Sequence, residues 1–175
     1  MKIISPSSFK NAFLRTASAR TGNILREWEN LTDLMLSAQD GLLQEVASEF
    51  DLRYFREYWK LDAILYEKKD ESHFAPDSTF AENITVAIEH ENKPTYSHVE
   101  ANKLGLFNTP LGVLITYPGR NEGKLLKEHA DIFRRSDIFS DFGQNRHKLV
   151  VFGKRTDQAI QWSFNVFNGA EFNEI

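Results

Sequence analysis

The sequence predicts an α/β fold: a mixed β-sheet flanked by helices, with a helical segment at its N-terminal end. Three observations carry that reading. Apolar residues recur near a 3.6-residue period through the first fifty positions. Between 58 and 117 the pattern changes to short aromatic and aliphatic runs of strand length. One more helical stretch lies between those runs and another follows them, an alternation that builds sheets with helical crossovers. With 175 residues, 41% hydrophobic and 26% charged, the chain has the size and composition of a single soluble domain. Residues 1–50 are its helical part, 55–120 its core, and 121–175 a closing helix and strands.

The elements follow in order. Residues 7–20 form a helix capped by Ser7 or Ser8 and packing Phe9, Phe13 and Leu14. A longer helix covers 22–38, with Ile24, Leu25, Trp28, Leu31, Leu34, Met35 and Leu36 as its stripe. Asp40 caps a third, with Leu42, Leu43, Val46, Ala47 and Phe50 inward. Strands are expected at 58–66 and 83–91, joined by a polar loop or hairpin excursion at 67–82. A helix over 95–104 ends before Gly105. The near-continuous apolar run 111–117 reads as a buried central strand, parallel to 84–91 because a helix connects them. An amphipathic helix at 121–139 and strands at 148–152 and 160–167 complete the chain.

Composition excludes several chemistries. There is no cysteine, hence no disulfide scaffold, thiolate metal site or cysteine nucleophile. Glycine motifs for phosphate or dinucleotide binding are absent, as is Gly-x-Ser-x-Gly. His73, His90, His98, His129 and His147 show no zinc spacing. No apolar run reaches membrane-spanning length and the first residues lack a secretory core, so a cytoplasmic protein is expected. Charge is uneven: residues 1–26 carry five bases and no acid, 27–100 carry 17 acids and 6 bases, and 101–175 carry 8 acids and 10 bases. An acidic middle between basic ends suits a metal-binding centre with polyanion-binding margins.

The acids that stand out are on strands. Along Val86-Ala87-Ile88-Glu89-His90-Glu91, side chains alternate, so Glu89 and Glu91 share one face and His90 points to the other. Two neighbouring carboxylates at the end of an apolar strand repel unless a cation or donor compensates, and magnesium is an oxygen-seeking cation suited to that role. Asp62 interrupts the apolar run 61–65, where propensity disfavours it. If the two strands are neighbours, Asp62 and Glu89 can share one metal, which would activate water and offset charge on a phosphodiester.

Leu61-Asp62-Ala63-Ile64, followed by Ile88-Glu89-His90-Glu91-Asn92 and the later strand Leu114-Ile115-Thr116-Tyr117, resembles the PD-(D/E)xK nuclease superfamily. This is the restriction-endonuclease-like fold, here in the Glu-x-Glu variant of some type II restriction endonucleases. The resemblance covers roughly residues 55–120. It implies a divalent-metal-dependent nuclease cleaving phosphodiester bonds of nucleic acid, more readily DNA, with Mg2+ or Mn2+ as cofactor and a homodimer as a common assembly. Asp62 and Glu89 would be the metal ligands. Glu91 stands where the family has Lys, so either Glu91 acts in its place or a lysine arrives from elsewhere: Lys93 just beyond the strand, or Lys103, one helical turn after Glu100, since the family is known to place its Lys on such a helix. Glu45 and Glu49 are candidates for the additional acid the family often takes from a preceding helix.

Arg120, Arg134, Arg135 and Lys148 are candidate phosphate contacts, alongside Arg146, Lys154 and Arg155. The missing motif lysine leaves an alternative open, a non-catalytic domain of the same fold that binds nucleic acid or protein.

Overall fold

Leu111–Thr116 (β4) has no exposed residue, so both of its faces must be covered. It lies at the middle of a seven-stranded mixed sheet whose strands follow sequence order from one edge to the other. The computed structural model describes residues 2–28, 31–67, 83–138 and 140–175. Its helices are α1 (Pro6–Ala19), α2 (Thr21–Arg26), α3 (Leu31–Leu36), α4 (Leu42–Glu49), α5 (Ser97–Leu106) and α6 (Glu122–Ser136). Its other strands are β1 (Arg53–Tyr58), β2 (Leu61–Tyr66), β3 (Ile84–Glu91), β5 (His147–Arg155), β6 (Ile160–Phe167) and β7 (Phe172–Glu174). Strands β3, β4 and β5 are mutually parallel and the remaining pairs antiparallel. The two parallel junctions are those bridged by α5 and α6, as a crossover between parallel strands requires.

Strand alternation sorts the core into two layers. Ala63, Leu65, Val86, Ile88, Val113, Ile115 and Val151 face the N-terminal helices α1–α4. Ile64, Ala87, Leu114, Val150 and Phe167 face α5 and α6. Phe13 of α1 fastens the first layer to the sheet: its ring meets Trp162 and Phe164 of β6 edge-on, at centroid distances of 4.9 and 5.7 Å. Among the described residues no helix is long and apolar enough to cross a membrane.

The mixed sheet, the parallel pairing of β3 with β4 and the limits of β6 match the sequence expectation, and several boundaries do not. The first helix is capped by Ser5. The stretch 22–38 is two helices, α2 and α3, because a continuous apolar stripe does not reveal a break in the backbone that carries it. Gly41 replaces Asp40 as the cap of α4, and Asp40 instead bonds Ser37. The expected strand 58–66 is cut by a turn at Trp59-Lys60, and only its first residue, Tyr58, belongs to β1, where it pairs with Leu61. Gly105 lies inside α5 rather than ending it. A Cβ there would come within 2.9 Å of Ser136 Cβ on α6, so this glycine serves the close approach of two helices. The sheet also ends in the short edge strand β7, three residues that carry no strand pattern of their own. Most of the predicted 67–82 excursion, His73 included, lies outside the described residues.

Phe13→Ala should lower stability by about 3–5 kcal/mol, the cost of removing a buried phenyl ring. Urea denaturation checks this, with a shifted midpoint and an unchanged slope as the expected result.

Candidate active site

The carboxyl ends of β3 and β4 carry the site. Pairing of Ala63 with Ile88 sets the next residues out, Asp62 and Glu89, opposite each other, on the face that α5 covers. Regular β2–β3 pairing stops there: Oδ2 of Asp62 accepts the backbone N–H of His90 at 2.8 Å. The aspartate disfavoured in a strand is thus the group that closes the ladder, with one oxygen pinned. Glu89 is opposite Leu114 on its other side and is 0% exposed.

Helix α5 brings two more charges over this carboxyl. Glu100 and Lys103 are one turn apart and form an ion pair. Lys103 Nζ lies 3.1 Å from Glu89 Oε1, donates to Glu89 Oε2 at 3.1 Å, and donates to the Lys60 carbonyl at 3.1 Å. One ammonium therefore joins β3, α5 and the β1–β2 turn.

Two carboxyls, Glu89 and Glu100, meet this one ammonium, Asp62 stands opposite Glu89, and the imbalance shows in the protonation of Glu89. Burial raises the pKa of Glu89, and the adjoining Glu100 carboxyl and the negative charge of Asp62 raise it further; Lys103 opposes them and is outweighed. Lys103 moves up as well. Burial works against its charge, but Glu100 and Glu89 together overcome that, so it is protonated at neutral pH. Oε1 of Glu89 and Oε2 of Glu100 are buried and accept no hydrogen bond. The cation beside both is Lys103, whose Nζ lies 3.1 Å from Glu89 Oε1 and pairs with Glu100 Oε2.

A hard divalent ion fits that donor chemistry. Among the described residues no group of three or more His, Asp or Glu side chains is arranged to hold a metal, so such an ion would rest on one or two carboxyls with water completing its shell, as magnesium commonly does. Glu89 is the central ligand candidate, with Glu100 or the second oxygen of Asp62 beside it.

The other predicted residues go elsewhere. Glu91 turns its carboxylate onto the N–H of Lys93 at 2.6 Å, and Lys93 is exposed; Lys103 is the lysine that reaches Glu89. Glu45 pairs with Arg20, which caps the end of α1, and Glu49 with Arg15 on α1, in the helical layer on the opposite side of the sheet from α5. Arg134 is engaged by Asp131 of its own helix, and Arg120 and Arg135 are exposed. Lys148 is 0% exposed, so it is no phosphate contact. It donates to the Leu104 carbonyl of α5 at 2.7 Å, and burial depresses its pKa to about 7. His90, on the opposite face as strand parity requires, is buried and bonds Tyr117 at 2.9 Å.

Sequence reasoning missed two backbone groups, the His90 amide and the Lys60 carbonyl. Side-chain spacing gives no signal for either. Comparison with protein-family models and with curated proteins yields no match.

Lys103→Met should destabilise the chain by about 1–3 kcal/mol, less than a fully buried pair because the ammonium is partly exposed. In a Glu89→Gln background the same change should cost much less; equal costs in a double-mutant cycle would show that the two groups do not interact. Glu89 also predicts a pH dependence. A carboxyl with a raised folded pKa binds its proton more tightly when folded, so its contribution to stability is complete in acid and is lost as pH rises above the ordinary carboxylate range. With chelator present, wild-type stability relative to Glu89→Gln should fall between pH 5 and 8, by up to about 1.4 kcal/mol per pH unit. Parallel pH profiles would contradict it.

Proposed function

We propose that this chain is a divalent-metal-dependent nuclease of the restriction-endonuclease-like (PD-(D/E)xK) type, hydrolysing phosphodiester bonds of nucleic acid, DNA in the first instance. The single observation that carries the reading is the contact of Lys103 with buried Glu89 opposite Asp62. The strand motif has Glu91 where the lysine of this superfamily would stand, and a helix-borne ammonium occupies the same neighbourhood from the other side.

The residues divide the work by their chemistry. Asp62 and Glu89, with Glu100 adjoining, would hold Mg2+ or Mn2+, which when bound supplies Lewis-acid activation of water and charge compensation at the phosphate. Lys103 stays charged, so it is no proton acceptor. Its role is to orient an oxygen nucleophile and to stabilise the negative charge that builds on the phosphate oxygens. The Lys60 carbonyl fixes that ammonium, and the His90 amide fixes Asp62, so both functional groups are aimed before substrate arrives. Glu91, engaged in its own turn, is outside this set. A soluble protein of the cytoplasm is consistent with such an activity.

Incubation of plasmid and single-stranded DNA with magnesium or manganese tests the proposal. Wild type should cleave. Glu89→Gln and Lys103→Ala should each lose about 100-fold or more, the scale of removing a charge-stabilising group. Glu91→Ala should keep most of the activity. Cleavage undiminished in Glu89→Gln, or absent with every DNA and metal, would contradict the assignment.

A further inference from the structure

Trp59 is 82% exposed, at the tip of the β1–β2 hairpin. Its φ is +58°, the left-handed region that hairpin turns give to Gly, Asn or Asp because a bulky side chain there crowds the backbone. The residue thus forgoes burial of a large apolar ring and strains its backbone as well. Glu57, two residues earlier, shares that conformation at +58°, so the strain belongs to the turn, and what sets Trp59 apart is a large ring left in water. The ring has the Tyr58 ring tilted beside it at 6.4 Å and otherwise projects outward.

The turn itself is held firmly. Tyr58 pairs with Leu61 across it, and the next residue, Lys60, gives its carbonyl to Lys103 Nζ at 3.1 Å. That ammonium is the one on Glu89. The exposed ring is therefore borne on the residue adjacent to one hydrogen-bonded into the candidate site. Its sequence neighbours on the surface, Glu57 and Lys60, are charged and exposed, so the ring is a lone aromatic between an acid and a lysine and not part of an apolar patch of the size that protein partners cover. Exposed aromatics near cationic side chains are one way proteins hold unpaired bases: the ring stacks on a base of any identity while a cation, here Lys60, meets the backbone.

We infer that Trp59 is a stacking platform for an unpaired base of a nucleic acid whose backbone lies on the carboxylate–lysine cluster, which makes single-stranded or locally unpaired nucleic acid the preferred ligand class. The inference rests on the nucleic-acid reading above. In a paired duplex the bases already stack on one another, so the ring gains least there.

Fluorescence anisotropy with a labelled single-stranded mixed-sequence DNA 12-mer and the corresponding blunt duplex, calcium replacing magnesium, tests this on wild type, Trp59→Gly and Trp59→Phe. Trp59→Gly should weaken single-strand binding about tenfold or more, leave duplex binding nearly unchanged, and raise the thermal midpoint because turn strain is relieved. Trp59→Phe should retain most of the affinity. Wild-type tryptophan fluorescence should be quenched on binding, and most of that quench should vanish in Trp59→Gly. Wild-type affinity in Trp59→Gly, or an equal loss for single strand and duplex, would overturn the inference while leaving the nuclease reading intact. A lowered thermal midpoint together with lost affinity would mark Trp59 as a structural residue and overturn it likewise. A wild type that binds neither DNA would overturn both.

Discussion

A carboxyl group removed from water at the end of an otherwise apolar strand is the constraint on which this end of the molecule depends. Glu89 sits beneath α5 with another acid, Glu100, against it and Asp62 opposite. Removing a charge from water costs several kcal/mol unless a partner compensates. Lys103 supplies part of that compensation, and the raised pKa of Glu89 means that a proton supplies more. The neighbouring contacts can be understood from this requirement: the ammonium that answers Glu89 also pairs with Glu100 and bonds the Lys60 carbonyl, so the strand end, the crossover helix and the hairpin turn are tied at one atom.

The sheet topology makes that meeting possible. A parallel β3–β4 pair requires a crossover, and α5 packs back over the face that holds Asp62 and Glu89. The antiparallel β2–β3 pair sets Asp62 opposite Glu89 without any loop between them at that end. Charged groups from three separate stretches of chain converge where the parallel strands end, the usual location of ligand sites in sheets of this kind. On the reverse face His90, one residue further along, is buried against Tyr117, and burial depresses its pKa to about 4. It therefore behaves as a neutral packing group, in keeping with strand parity.

Much of this was legible in the residues. Alternation along 84–91 set Glu89 and His90 on opposite faces, and a lone Asp in an apolar run singled out Asp62. Helical spacing joined Glu100 to Lys103. The reach of Lys103 to Glu89 could only be offered as one of several options, because it depends on the angle at which α5 crosses the sheet. The split of 58–66 was hidden for a different reason: Tyr58-Trp59-Lys60 contains none of the residues that favour a positive φ, so the turn runs against local preference and left no trace in composition. Lys148 misled by its charge. Its burial follows from the glycine opposite, Gly112, whose missing side chain leaves room for the lysine stem, with Lys148 Nζ 3.2 Å from where a Cβ would stand.

In the proposed reading Glu89, whose pKa is raised by burial, would give up its proton when a divalent ion binds beside it. Calorimetric titration with magnesium at neutral pH, in two buffers of different ionisation enthalpy, measures both the ion and the proton. The expected result is a saturable site whose filling releases close to one proton. Binding without proton release, or no saturable binding, would contradict it.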